Sequence, residues 1–231
     1  MQPHQLTLPL RLQDEATFVN FFAGSNQPLI NYLKKLIHDR NENYIYLWGH
    51  SGVGCTHLLK ACCQYVQEQG RTAAYLPMSL FKNLSPSVFG TLEVVSLVCL
   101  DDIQAIAGDH QWEEVIFHFY NRIQASGNQL FIAGHAVPRD LNIHLPDLAS
   151  RLINGVVFQV QELSDEEKVE ALQMRAKLRG LNLSAEVLHF LLNRFPRDLS
   201  ALFATLEQLE RASLMAQRKL TIPFVKDVLR I

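Results

Sequence analysis

Short apolar runs rich in β-branched and aromatic residues alternate with longer amphipathic stretches over the first two thirds of the chain. The runs fall at 44–48, 72–77, 95–100, 129–133 and 156–160, flanked by Gly, Asn and Asp. Runs of this length that stay apolar at successive positions predict strands buried on both faces, as in a parallel sheet. Between them lie candidate helices at 26–39, 55–69, 109–126 and 146–152, the third placing Trp112, Ile116, Phe119 and Ile123 on one face. Strand alternating with helix predicts an α/β fold with right-handed crossovers.

Beyond about residue 163 the strand signal stops and helix punctuation takes over. Ser164-Asp-Glu-Glu167 reads as a capping box, Gly180 as a helix stop and Ser184 as the next N-cap. Leu199, Leu202, Phe203, Leu206 and Leu209 form the stripe of a third helix, and Thr221 with Pro223 opens a last short one. The expected organisation is an extended tail over 1–15, an α/β nucleotide-binding domain over 16–163 and a small all-α domain over 164–231.

Composition narrows the class. Of 231 residues, 48% are hydrophobic and 19% charged, enough apolar material for a real core, which excludes a disordered or collagenous chain. Lys plus Arg number 21 against 23 Asp plus Glu, a formal charge of −2, so the basic excess of a nucleic-acid coating protein is missing. Cys55, Cys62, Cys63 and Cys99 show neither C-x-x-C spacing nor disulfide-scaffold density and read as reduced, buried thiols. The N-terminus has no basic n-region followed by an apolar h-region, and the charge-free run 16–33 is broken by Asn20, Gly24, Ser25, Asn26 and Pro28, which supports neither secretion nor membrane spanning. The 9 histidines include no H-E-x-x-H or other metal-ligand spacing.

The candidate chemistry starts at Gly49-His-Ser-Gly-Val-Gly-Cys-Thr56, directly after the first strand and opening a helix. Glycines at 49, 52 and 54 permit a tight turn with inward-pointing N–H groups, and the helix N-terminus adds partial positive charge, so a diphosphate fits there. The spacing is that of a P-loop. Its lysine position, however, holds Cys55, which supplies no cation, whereas Thr56 keeps a hydroxyl able to ligate Mg²⁺. A glycine-rich turn that binds nothing is the alternative. Further on, the apolar strand through Leu100 ends in Asp101 and Asp102, carboxylates suited to hold hydrated Mg²⁺ and orient a water, or simply to be solvated at a strand end.

Leu100-Asp-Asp-Ile-Gln104, Gly108, Phe117-His-Phe-Tyr-Asn121 and Leu148-Ala-Ser-Arg-Leu152 resemble the AAA+ module of the bacterial replication initiator DnaA, and the segment Thr17 to Asn26 is similar to the part of that family beside the nucleotide base. The likeness extends over about 16–231. It implies a P-loop NTPase-like AAA+ module with a parallel five-stranded sheet followed by a helical lid, binding an adenine nucleotide, ADP rather than ATP, with Mg²⁺. By the same resemblance Gly52, Val53, Gly54, Cys55, Thr56 and His57 would cradle phosphates, Thr56, Asp101 and Asp102 would serve the Mg²⁺, and Phe18 or Phe21 would lie near the base. Arg151 falls at the position of an arginine finger, which faces the nucleotide of a neighbouring subunit, and Arg197 at the sensor 2 position of the lid; both also suit surface ion pairs. Departures from the initiator are Cys55, His135 where a sensor 1 aspartate is expected, and a sequence with no helix-turn-helix domain after the lid. Loss of the P-loop lysine implies weak or absent intrinsic ATPase.

The tail contains Gln5-Leu-Thr-Leu-Pro-Leu10. Pro9 biases Leu8 towards extended geometry, so Leu6, Leu8 and Leu10 project on one side with Gln5 as polar anchor. It resembles the Q-L-x-L-P-L peptide with which replication proteins bind the sliding clamp; a first strand, or a tail packed on its own domain, is the alternative. Taken together, these features resemble the Hda family of regulators that inactivate DnaA. That resemblance implies a nucleotide-bound regulator which, with the DNA-loaded clamp, the β subunit of DNA polymerase III, stimulates hydrolysis of DnaA-bound ATP and so restrains initiation. It would touch DNA only through the clamp and reside in the bacterial cytoplasm, nucleoid-associated through its partners. A homo-oligomer is left open. The competing readings are an AAA+ ATPase that remodels or loads another replication or transposition protein by its own hydrolysis cycle, and a scaffold whose nucleotide pocket has decayed.

Overall fold

A computed structural model of the chain describes residues 16–195 and 198–231. The expected clamp peptide (Gln5, Leu6, Leu8, Pro9, Leu10) and Arg197 lie outside the described residues. A 3₁₀ turn, Gly24–Asn26, leads into α1 (Gln27–Asp39), followed by β1 (Tyr44–Trp48), α2 (Cys55–Glu68), β2 (Ala73–Pro77), α3 (Met78–Phe81), β3 (Leu97–Asp101), α4 (His110–Ser126), β4 (Gln129–Gly134), α5 (Pro146–Ile153) and β5 (Val156–Gln159). The helical lid region holds α6 (Asp165–Leu178), α7 (Ala185–Arg194), α8 (Leu199–Ala216) and α9 (Ile222–Leu229).

The strands form the expected five-stranded sheet, in the order β2-β3-β4-β1-β5, with every pairing parallel. Every residue of the inner strands β3 and β4 is buried, whereas the edge strand β5 alternates half-buried with exposed positions. That gradient explains why the inner strands read as unbroken apolar runs. Successive side chains supply opposite cores: Tyr46, Val98, Leu100, Leu130 and Ile132 pack under α4 and α5, while Ile45, Leu47, Cys99, Phe131 and Ala133 pack under α1 and α2. Trp112, Ile116, Phe119 and Ile123 all enter the first core, as their spacing predicts.

The helix stops and starts follow the predicted punctuation. Ser164 and Glu167 form a full capping box, Ser184 caps α7 through Val187 N–H, and Gly180 adopts φ 71° just beyond α6. Leu202, Leu206 and Leu209 pack with Leu172, Leu188 and Leu191 into a third core. Arg179 ties α6 to α8 through Glu207 (2.8 Å) and Glu210 (2.7 Å).

Strand β3 starts two residues later than expected, because the N–H of Val95 closes a 3₁₀ segment (Pro86–Val94) on the carbonyl of Leu92. That segment, α3 and the 3₁₀ turns Ile103–Ile106 and Pro138–Asp140 have too few residues to show a periodicity in the sequence.

One buried carboxylate organises the side of the sheet that carries α5. Glu113, on the inner face of α4 and 0% exposed, accepts backbone N–H groups from Gly108 (2.8 Å), His144 (2.9 Å) and Leu145 (2.7 Å). Glu113→Ala leaves these donors unpaired in the interior and should lower the unfolding free energy by about 3 kcal/mol. A urea titration followed by circular dichroism measures it, and an unchanged midpoint would show that Glu113 is dispensable.

Candidate functional site

In a parallel sheet all carboxyl ends open at one edge, and here β1, β3 and β4 bring their following residues to one place. The turn after β1 holds the glycine loop, β3 ends in Asp101, and β4 ends in Gly134 before His135. They wall a cavity of about 420 Å³, closed on the far side by Leu199, Ser200 and Phe203 of α8.

The loop glycines are there for steric reasons. Gly52 (φ 84°) and Gly54 (φ 109°) are left-handed, and Gly54 is the N-cap of α2. A Cβ on Gly52 would collide with the Asp198 carboxylate at the start of α8, and one on Gly54 would come within 2.6 Å of the Phe21 ring. The loop is thus clasped between the lid and the segment preceding α1.

Thr56 and Asp101 meet, as the resemblance implies. Thr56 Oγ1 donates to Asp101 Oδ2 at 2.6 Å, Tyr75 Oη donates to the same oxygen at 2.7 Å, and the Asp102 N–H donates to Asp101 Oδ1 at 3.0 Å. Burial, reinforced by Asp101, pushes the Tyr75 phenol up and keeps it a donor. Asp102 adopts a left-handed φ of 55°, and its carboxylate accepts from Ser79 Oγ (2.9 Å) and Gln104 Nε2 (3.2 Å). The side-chain Oε1 of Gln104 is buried with no hydrogen-bond partner.

Cys55, Thr56 and His57 form the first turn of α2 and line the cavity with Gly52, Val53 and Gly54. Burial, with the negative charge of Asp101 second, pushes the Cys55 thiol up to about 12, so it stays uncharged. His57 Nε2 lies 2.9 Å from the carbonyl of Thr17, and its ring is 5.3 Å from Phe21. Burial pulls the His57 pKa down against the effect of that carbonyl.

The two aromatic candidates separate. Phe21 lines the cavity together with Phe22, whereas Phe18 turns away, edge-on to Tyr65 at 5.7 Å and beneath Lys34 Nζ at 5.2 Å. Phe18 therefore drops out as a residue facing the cavity, and Phe22 joins it. Arg151 is exposed on α5, with its guanidinium 5.9 Å from the Tyr120 ring, and does not line the cavity. Lys60, Tyr75, Gln104 and Asp198 were not evident from the sequence; Lys60 alone carried a local hint, one helical turn beyond Thr56.

The residues fit a nucleotide with its metal. Two left-handed glycines before a helix N-terminus suit phosphate oxygens, and a hydroxyl against a buried carboxylate suits Mg²⁺. Among the described residues no cluster of three or more His, Cys, Asp or Glu side chains could form an all-protein metal cage. A Mg²⁺ would therefore complete its shell with waters and phosphate oxygens, its usual habit. Among the described residues no helix is long and apolar enough to cross a membrane.

Residues 12–159 match the family model described as the bacterial DnaA ATPase domain, and residues 165–229 match that described as the Hda lid domain. Domain III of the Thermotoga maritima replication initiation protein DnaA is similar with a TM-score of 0.83 at 23% identity, over 94% of this chain and 96% of that chain. AMPPCP-bound DnaA from Aquifex aeolicus is similar with a TM-score of 0.73 at 22% identity, over 88% of this chain and 67% of that one. The Thermotoga maritima RuvB Holliday junction branch migration motor gives 0.63 at 12% identity, over 88% and 68%. At these identities the structures establish the fold, an AAA+ module with a helical lid.

The raised Cys55 pKa has a measurable consequence. Iodoacetamide at pH 8 should alkylate Cys55 in the native protein at least about a hundredfold more slowly than an unperturbed cysteine, since the thiolate is the nucleophile. Peptide mass mapping of a time course reads the rate; labelling as fast as free cysteine would show an ionised thiol in the loop.

Proposed function

We propose, from the premise that the chain belongs to the bacterial DnaA ATPase-domain family and carries a lid of the Hda type, that it is a nucleotide-bound regulator acting on DnaA in trans. The observation that carries this reading is the placement of Arg151. It stands exposed on α5, outside its own cavity, where it can enter the nucleotide site of a neighbour. In that role its guanidinium neutralises charge developing on the ATP phosphates of DnaA, as fingers supplied in trans do, with rate gains on the order of 10³–10⁵.

The protein's own site serves to hold. Gly52, Val53, Gly54, Thr56 and His57 cradle the phosphates of an adenine nucleotide, ADP rather than ATP; Thr56 and Asp101 hold Mg²⁺ with Asp102 beside them, and Phe21 bounds the base. Arg197, outside the described residues, is assigned the sensor 2 role toward the phosphates. With an uncharged thiol at Cys55, the chain hydrolyses little nucleotide by itself.

Residues 5–10 dock on the sliding clamp, and tethering raises the effective concentration of Arg151 near DNA-bound initiator. Clamp loading then reports that synthesis has begun, and restraint of initiation follows. The chain reaches DNA through the clamp and acts in the bacterial cytoplasm, as a monomer docked on DnaA or as a self-assembled oligomer. A second reading, remodelling of another replication protein by the chain's own hydrolysis, draws support from the Asp101 and Asp102 pair. Cys55 weighs against it.

The test is hydrolysis of DnaA-bound ATP with clamp, DNA and this protein. Arg151→Ala should return the rate to that of DnaA alone while nucleotide retention by the variant stays intact; full stimulation by the variant would remove the finger. Replacing Gln5, Leu8 and Leu10 together by Ala should abolish capture by immobilised clamp at an unchanged melting temperature, and undiminished capture would refute the tail assignment.

A further inference from the structure

We infer that Lys60 supplies the phosphate-binding cation that the glycine loop lacks, so that the site holds a nucleoside diphosphate through a lysine one helical turn beyond Thr56. The inference rests on the nucleotide reading above and deepens it. Among the described residues, Lys60 is the lysine or arginine that lines the cavity.

Its position follows from helix geometry. Residues four apart share a face of a helix, and long side chains lean back over the preceding turn. Lys60 on α2 therefore extends towards Thr56. Its ammonium lies 4.9 Å from the centre of the Tyr75 ring, and Tyr75 in turn donates to the Asp101 oxygen that Thr56 also uses. The aromatic face steadies the ammonium on the Asp101 side of the cavity.

The charge around the cavity creates the need. Asp101 and Asp102 line it, and Asp198 sits against Gly52. A diphosphate entering there meets carboxylates on two sides. A Mg²⁺ held by Thr56 and Asp101 would offset part of that repulsion. Cys55 offsets none, because a thiol carries no positive charge in either protonation state. Lys60 has an exposed side chain on a flexible stem and can move from the Tyr75 face to a phosphate oxygen without breaking a buried contact.

The test is equilibrium binding of N-methylanthraniloyl-ADP with Mg²⁺ to the nucleotide-stripped full chain, followed by anisotropy, with adenosine as competitor in parallel. Lys60→Met should weaken ADP binding by about 10- to 100-fold and leave adenosine competition unchanged, the scale of one charge-assisted contact. Lys60→Arg should bind ADP within about threefold of the parent, and Cys55→Lys added to Lys60→Met should restore binding by returning a cation to the loop. Unchanged ADP affinity in Lys60→Met, or equal weakening of ADP and adenosine, would overturn the role of Lys60 while leaving the nucleotide site standing. Failure of the parent chain to bind ADP at all would instead overturn the nucleotide reading itself.

Discussion

Asp101 is the constraint around which the site is arranged. Its carboxylate is 4% exposed at the carboxyl end of β3 and accepts the Thr56 hydroxyl, the Tyr75 phenol and the Asp102 N–H. Those donors come from α2, β2 and the turn that follows β3, so a single buried charge joins three pieces of the sheet edge. Hydrogen bonds to a carboxylate are roughly twice as strong as neutral ones, and a buried carboxylate that lost its donors would be expensive. The first turn of α2 is thereby locked against β3, and the glycine loop has one path between β1 and that turn. The left-handed backbone at Gly52 and Gly54 and the left-handed turn at Asp102 are the local consequences.

On the proposed function, this arrangement separates holding a phosphate from breaking one. On that reading, backbone N–H groups of the loop, the partial charge of about half a unit at the α2 N-terminus and a Mg²⁺ held by Thr56 and Asp101 would all act on a ground-state diphosphate. Transition-state charge asks for a further full positive charge inside the loop, and removing one such donor from an active site typically costs about 10²–10³ in rate. Cys55 occupies that position with a thiol that burial keeps neutral. On the proposed reading the cavity stays competent to bind while its chemistry is muted, which suits a chain whose action falls on a partner's nucleotide. The lid contributes through contact: Asn26 exchanges hydrogen bonds with the backbone of Gln161 (2.7 and 3.0 Å), and the Ser25 N–H donates to Glu167 at 3.1 Å. The segment that carries Phe21 is thus fastened to the junction between sheet and lid.

What could be read beforehand was whatever local composition determines. Fully buried strands announce themselves as unbroken apolar runs, and Ser164 with Glu167 announces a helix start, because each signal lies within a few neighbouring residues. The P-loop outline and the Asp101 pair were legible for the same reason. The side chains that complete the site were not. Tyr75 read as one more strand aromatic, since its bond to Asp101 spans 26 residues. The burial of Glu113, beside Trp112 on the inner side of α4, has no local sequence signal, because N–H groups that neutralise it come from the distant turn at His144 and Leu145. Phe18 and Phe21 were equal candidates by sequence; packing against Tyr65 on one side and Gly54 on the other separates them.

Glu113 also bears on where Arg151 can act. The same carboxylate closes the turn at Gly108, shortly after Asp102, and holds His144 and Leu145 at the entrance to α5. From there α5 is anchored by Leu148 and Leu152 in the core, which leaves Arg151 on the outer face above Tyr120. An α-helix that is buried along one side and fixed at its first turn cannot rotate to carry that guanidinium into its own cavity without exposing both leucines. Burying a leucine is worth about 1.5–3 kcal/mol, so such a rotation is strongly disfavoured. Arg151 is therefore held facing outwards by the packing of the sheet, which is the orientation that the proposed action on a partner's nucleotide requires.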